Sequence, residues 1–343
     1  VEFTTGGRLE VRVTPSDVGK RVSVRSLTGA AERHGRFTDT LGILTSWTGG
    51  VLRITRRDGG QVEIEEASMV AGKVVPPTPA RRRGLPAADV TELQTVAARG
   101  WPPPESRRLG GWTLRAAGGF TARANSVLPL GEPGVPLDQA LEEVATWYAG
   151  RGVPARMQIV VDEQALLDAR LRDLGWLPEK HAVVRVGALA PLADRAPDAR
   201  VLLHRQLDAR WAGLYHRAGE GELTQAARAV LGGGPSVWFA TVPDDEGRAA
   251  AIGRCVVDGR WAGFAAVEVA AAHRRQGLAQ AVMGELARAA LAEGASAAYL
   301  QVERDNAPAR ALYDKLGFAD HHAYHYLRRP HVPAAGSGPD DGR

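Results

Sequence analysis

VEVAAAHRRQGLAQAVMGEL, residues 267–286, runs from alternating apolar positions through two arginines and a glycine into a helical pattern. Val267 and Val269 keep strand spacing, whereas Leu278, Val282, Leu286 and Ala289/Ala290 keep helical spacing. Gly277 therefore falls where a strand hands over to a helix. The first N–H groups of a helix have no intrahelical acceptor and the positive end of its dipole lies there, so the turn favours an anion. Gly277 lets a ligand approach the backbone, small Ala279 extends that clearance, and Arg274 and Arg275 add attraction. On these residues alone, a phosphate cradle and an ordinary helix start with solvated arginines are both open. The Gly-Lys-Ser/Thr ending of a Walker loop and the three glycines of a dinucleotide fingerprint are missing, as are HExxH, CxxC and GxSxG patterns.

A second stretch follows at the right distance. YLQVERDNAPARALYDKLGF, residues 299–318, reads as a strand, then Asp305 and Asn306 at a helix start, Pro308 in the first turn and Gly317 at the end. Ala309, Leu312 and Leu316 form its buried stripe, with Tyr313 beside it. Arg274-Arg275-Gln276-Gly277-Leu278-Ala279 fits the R/Q-x-x-G-x-G/A signature of the GCN5-related N-acetyltransferase (GNAT) family, and Asn306 with the following ALY and LGF resembles that family's second motif. The resemblance covers roughly residues 198–330. It implies an α+β, mixed-sheet GNAT fold and an acyltransferase that moves an acetyl group from acetyl-CoA directly to a primary amine, without a covalent enzyme intermediate or a metal. The acceptor is then a small amine or an amino acid, glutamate among them.

The same resemblance implies roles. Val267 and Val269 belong to the strand that binds the pantetheine arm, and an N–H near Val269 polarises the thioester carbonyl. Arg274, Arg275, Gln276, Gly277, Leu278, Ala279 and Gln280 hold the pyrophosphate, and Asn306 bonds the CoA arm. Tyr313 borders the CoA and is the general acid for the departing thiolate. Many relatives carry a glutamate five residues before the Asn; Gln301 stands there and cannot serve as a base, so Glu268 and Glu303 become the candidates. Acceptor selection is expected from residues 207–233, with Trp211, Tyr215, His216 and Glu222.

Upstream, residues 110–190 repeat the order helix, strand, helix, strand seen after Gly277. Placing Gly175 on Gly317 brings Leu174 onto Leu316 and Trp176 onto Phe318. In this degenerate unit ANSVLPLGEPGVP, residues 124–136, replaces the arginine-glycine turn, and Leu171 stands in the place of Tyr313. One acetyl-CoA site per chain is the expectation. Residues 1–75 read as short strands between turns, a small β-barrel or a meander; the layout is similar to an actinobacterial, N-acetylglutamate synthase-like group with an SH3-like β-barrel ahead of tandem acetyltransferase units. The proline-rich stretch from 76 to 109 reads as a linker and 331–343 as a disordered tail.

Composition fits a globular protein. The 343 residues carry 43 cations against 39 anions, a balance that calls for no nucleic acid, and no apolar run reaches bilayer length. Arg81-Arg82-Arg83 reads as linker charge rather than a nucleic-acid patch. One cysteine, Cys255, permits no internal disulfide; with no leader pattern this suggests a cytoplasmic setting, and the alternation around Cys255 suggests core packing. The competing function is a non-catalytic acyl-CoA-binding regulator with the barrel as partner module.

Overall fold

The structure is a computed structural model and describes residues 11–28, 36–56, 59–75, 84–216 and 222–330. Five strands come first: β1 (Arg21–Thr28), β2 (Arg36–Thr48), β3 (Val51–Thr55), β4 (Gln61–Glu65) and β5 (Met69–Val74). Their inward alternation buries Val22, Val24, Leu44, Leu52, Ile54 and Ile64 in one small core. The two-residue hairpin between β2 and β3 uses Gly49 and Gly50, both at positive φ, as this turn requires. The sheet has the order β4-β3-β2-β1-β5 and is antiparallel. The closed SH3-like barrel expected from sequence is not found. A 3-10 turn at Glu66–Ser68 carries the chain from β4 across to β1, so β4 and β5 stay as edges with no ladder between them among the described residues.

The described part of the presumed linker, residues 84–109, is folded. Helix α1 (Val90–Arg99) is capped by Asp89, whose carboxylate accepts from the Glu92 N–H at 2.6 Å, and it buries Leu93, Val96 and Ala97 against Trp261, Tyr299 and Tyr326. The flanking prolines and alanines hid an apolar spacing of three and four. Residues 76–83, with Arg81, Arg82 and Arg83, and the tail 331–343 lie outside the described residues.

Next come β6 (Glu105–Leu109), β7 (Trp112–Ala116) and β8 (Leu128–Pro129), which form a three-stranded antiparallel sheet. The elements of the first repeat follow: α2 (Leu137–Ala149), β9 (Arg156–Val160), α3 (Ala165–Asp173) and β10 (Leu177–Ala188). After the short helix α4 (Ala190–Ala193), the second half comprises β11 (Leu202–His204), α5 (Ala209–Leu214), α6 (Gln225–Gly232), β12 (Ser236–Pro243), β13 (Ala249–Asp258) and β14 (Trp261–Val269). It ends with α7 (Leu278–Ala292), β15 (Ala297–Glu303), α8 (Ala307–Lys315) and β16 (Ala319–Arg328).

The two repeats do not stand apart. One mixed eight-stranded sheet has the order β11-β12-β13-β14-β15-β10-β16-β9, so β10 of the first repeat lies between β15 and β16 of the second. In turn β16 pairs with β9 of the first repeat. Each repeat thus lends its last strand to the other. A boundary at 190–198 separates segments of chain but not of structure, because the exchanged strands bury both sets of apolar residues in shared clusters. Val184 and Val186 of β10, for example, pack with Trp261, Tyr299 and Tyr324.

Helix α7 lies on the opposite face. Leu278, Val282, Met283, Leu286, Ala287 and Ala290 meet Cys255, Phe264 and Leu300, each fully buried aliphatic side chain contributing about 2 kcal/mol of transfer free energy. Gly253 makes the approach possible, since a Cβ there would sit 2.4 Å from Val282 Cγ1. No helix among the described residues is long and apolar enough to cross a membrane.

Candidate functional site

The parallel pair β14 and β15 is in register from Trp261–Ala297 to Phe264–Leu300 and then separates. Ala266, at φ 52°, marks the irregularity on the β13 side that turns β14 away. The opening is the mouth of a cleft of about 940 Å³. Its rims are the starts of two helices. On one, Gly277 caps α7 in the left-handed region at φ 77°, and a Cβ there would meet nothing within 4 Å. The N–H groups of Gly277, Leu278 and Ala279 have no backbone acceptor among the described residues, the first bonds in the turn being those from Gln280 and Ala281 to the Gly277 carbonyl. Arg275 is also left-handed, at φ 62°, and both it and Arg274 are exposed at the rim. On the other, Asn306 caps α8, its side-chain oxygen accepting from the Ala309 N–H at 3.2 Å.

Strand alternation divides the site between the faces of the sheet. Val267 and Val269 pack with Leu278, Leu312 and Tyr313 on the α7–α8 face. Ala309 and Leu312, expected to be buried, are half-exposed because they wall the open cleft. Tyr313 sits edge-on to Phe318, with ring centroids 6.0 Å apart, and burial pushes its phenol up to about 12. Cys255 lies in the core behind, where burial pushes its thiol up to about 12 as well.

The other face carries Glu268, Gln301 and Glu303, all lining the cleft. Glu268 is engaged by one residue twice: it accepts from the His216 N–H at 3.0 Å, and its other oxygen lies 2.5 Å from His216 Nδ1. Of the residues proposed for acceptor selection, Tyr215 and His216 reach the cleft. Trp211 does not; it is fully buried and donates to the Gly253 carbonyl at 3.0 Å. Glu222 is exposed and pairs loosely with Arg228. Gln276, expected with the cradle, is exposed and outside the cleft lining, whereas Gln280 lines it and accepts from Arg195 at 3.3 Å.

The sequence reading missed one wall. Trp101, Thr121, Ala122, Arg123, Lys180 and Ala182, from the presumed linker and the degenerate unit, face the same cleft. Only the strand exchange and the docking of α1 bring them there, and no local pattern announces that. Among the described residues no group of His, Cys, Asp and Glu is arranged to hold a metal ion.

Residues 87–327 match the family described as "Probable histone acetyltransferase Rv0428c C-terminal". The chain is 29% identical over 320 residues to the probable histone acetyltransferase Rv0428c of Mycobacterium tuberculosis, covering 90% of this chain and 95% of that protein. It is 26% identical over 245 residues to the uncharacterized N-acetyltransferase YobR of Bacillus subtilis, covering 69% and 98%. Among solved structures, a GCN5-related N-acetyltransferase from Kribbella flavida aligns with a TM-score of 0.51 at 17% identity, covering 71% of this chain and 96% of that one. A tandem GNAT protein from the clavulanic acid biosynthesis pathway aligns with a TM-score of 0.50 at 16% identity, covering 74% and 91%. At these identities the likeness to solved structures is one of fold.

Proposed function

The chain belongs to the Rv0428c C-terminal family and is an acyltransferase of GNAT type, and from that premise we propose that it transfers an acetyl group from acetyl-CoA directly to a primary amine. The observation that carries this reading is the divergence of β14 and β15 beyond Phe264 and Leu300, with the start of α7, whose N–H groups no side chain caps, on one rim and Tyr313 beside the opening.

Acetyl-CoA supplies the acyl group as a thioester; the protein supplies position, dipoles and protons. Free N–H groups at Gly277, Leu278 and Ala279 hold the pyrophosphate, and Arg274 and Arg275 draw it to the rim. Arg275 and Gly277 are both left-handed, which turns successive N–H groups toward one side. The arm runs along Val267 and Val269, and an N–H near Val269 donates to the carbonyl oxygen as negative charge grows there, an effect worth about 3 kcal/mol in such sites. Asn306 uses one oxygen lone pair for its cap and keeps its amide N–H groups for the arm.

Tyr313 is kept neutral by burial and so holds the proton that the departing sulfur takes. On the acceptor face, Glu268 fixes His216 through two contacts, and this pair receives the amine proton; Glu303, farther along β15, is the second candidate. The relative's name points to histones; for this chain the acceptor class is a primary amine.

A screen of amines with the full chain and acetyl-CoA, read by free CoA thiol and product mass, tests the proposal, with calorimetry reporting acetyl-CoA binding. Amine-dependent thiol release with a mass gain of one acetyl group is expected. Acetyl-CoA binding without turnover on any amine supports the regulatory alternative instead, and no acetyl-CoA binding removes both.

A further inference from the structure

Helix α8 carries Tyr313, yet none of its nine residues is buried. Its apolar side, with Ala309, Leu312 and Tyr313, walls the open cleft, so α8 lacks the fully buried stripe that fixes α7. A general acid nevertheless has to be held closely, because a displacement of about 1 Å can cost about 100-fold in rate. Something other than apolar burial therefore fixes the last turn of α8.

A buried cation from the other half reaches that turn. Arg185 lies on β10, opposite Leu300 of β15 and Asp320 of β16, and is 3% exposed. Its Nη1 donates to the Arg310 carbonyl at 3.0 Å, and its Nη2 donates to Asp314 Oδ1 at 2.5 Å and to the Phe318 carbonyl at 2.9 Å. Nε lies 2.8 Å from Asp320 Oδ1, an ion contact without hydrogen-bond alignment. Asp320 in turn accepts from Arg310 at 3.0 Å. Arg310 and Asp314 stand about one helical turn apart on either side of Tyr313 in the chain. Phe318, just past the helix, meets the Tyr313 ring edge-on and donates its N–H to the Tyr313 carbonyl at 2.9 Å.

A buried ion pair is weak evidence for stability, since desolvation of the charges offsets their attraction. What the guanidinium adds is geometry: its planar fork fixes several acceptors in direction as well as distance, which an aliphatic side chain of similar size cannot do. The first half holds its last helix by a related contact. His325 of β16 is fully buried, its Nε2 lies 2.6 Å from Asp168 Oδ1 on α3, and Arg172 donates to the other carboxylate oxygen at 2.8 Å. There α3 also buries Ala165, Ala169 and Leu171, so the polar contact adds to apolar packing; under α8 it stands in for that packing.

We propose that Arg185 is a positioning residue for Tyr313, so that the degenerate half takes part in acetyl transfer by fixing the last turn of α8 at the wall of the cleft. Arg185 is not among the residues lining the cleft and acts through α8. Its hydrogen bond holds the Asp314 carboxyl below the ordinary carboxylate value, and its charge opposes the rise that burial gives the Tyr313 phenol. The far end of the helix is capped by Asn306 itself, so contacts to acetyl-CoA there do not depend on Arg185. The inference rests on the reading of Tyr313 as the general acid.

The test is a double-mutant cycle in the full chain, with kcat expressed per acetyl-CoA-binding site counted by calorimetry. Arg185→Gln is expected to lower kcat about 10-fold when Tyr313 is present, a part of the roughly 100-fold that a positioned acid supplies, and to cost nothing further beside Tyr313→Phe. The acetyl-CoA dissociation constant is expected to stay the same, and Arg185→Lys, which keeps the charge without the fork, to recover part of kcat. A role in stability alone predicts the same fractional loss in both backgrounds; that result overturns the inference, as does native kcat in Arg185→Gln. Should Arg185→Gln not fold, Asp314→Asn, at a carboxylate 65% exposed, carries the same cycle: a loss of about threefold only when Tyr313 is present supports the inference, and an equal loss or none overturns it. Native kcat in Tyr313→Phe would strike the reading of Tyr313 as the acid, and this inference with it, while leaving acetyl transfer standing.

Discussion

The two halves of the protein contain the same wedge, built twice and used differently. In the second half β14 and β15 pair over four residues and then separate into an open cleft. In the first half the corresponding contact is a single parallel bridge, Val127 to Met157, and β8 then leaves β9 at Pro129. Aligned on Gly175 and Gly317, the caps of α3 and α8 are Gln164 and Asn306. Asn306 serves its own helix. Gln164 spans the wedge: it accepts from the Val160 N–H at 2.8 Å and donates to the Pro129 carbonyl in a short hydrogen bond.

The helix starts differ too. Arginines precede α7, whereas Glu132 and Pro136 precede α2, so the charge ahead of the helix is opposite in the two halves. Leu171, fully buried, occupies the place of Tyr313. The two wedges therefore differ by small local features: one bridging amide, the sign of the charge ahead of the helix, and an alkyl group in place of a phenol.

The largest expected effect tests the phenol. Tyr313→Phe should lower kcat by about 100-fold, the usual scale of a general acid, with acetyl-CoA affinity unchanged by calorimetry. Because the folded-state value is pushed up to about 12 from an unfolded value of 10.0, the neutral acid persists through the ordinary alkaline range. Any basic limb due to Tyr313 then appears near pH 12 rather than 10. The same sign makes its contribution to stability complete below pH 10 and lost as pH rises through 12. An unchanged kcat would make Tyr313 the equal of Leu171 and break the contrast.

The charges come next. Replacing Arg274 and Arg275 together by Gln should weaken acetyl-CoA binding by about 10-fold at low salt, as two exposed ion contacts predict, with a smaller loss at high salt. Equal losses at all salt concentrations would point to the backbone cradle alone. The smallest effect is expected in the silent half. Gln164→Ala should cost about 1 kcal/mol in denaturant unfolding and leave turnover and a stoichiometry of one acetyl-CoA per chain unchanged. A second binding event in that variant would mean that the bridging amide, not the missing cations, closes the first wedge.

The cradle and the second motif were legible because each is a local device. A glycine at a strand-to-helix turn, two cations before it and an Asn capping the next helix are short-range features, and the structure places them where the spacing puts them. The repeat was legible for the same reason, since α2, β9, α3 and β10 follow the predicted order. Strand periodicity left a barrel and a meander open because it does not state how the edge strands meet; the described strands form an antiparallel sheet with β5 beside β1 and no ladder between β4 and β5. The linker reading missed because proline-rich flanks outweighed the spacing of Leu93, Val96 and Ala97.

By itself the sequence determined which turn can cradle an anion, which phenol stands beside the cleft and which half lacks both, because positive φ, helix capping and side-chain chemistry are set by residues close in the chain. Only the tertiary structure decided that β10 and β16 change places, that Trp101 and the loop around Arg123 complete the wall of the cleft, and that Glu268 faces His216. Such contacts join residues from 52 to 228 positions apart, and burial of shared apolar surface, not local propensity, brings such residues together.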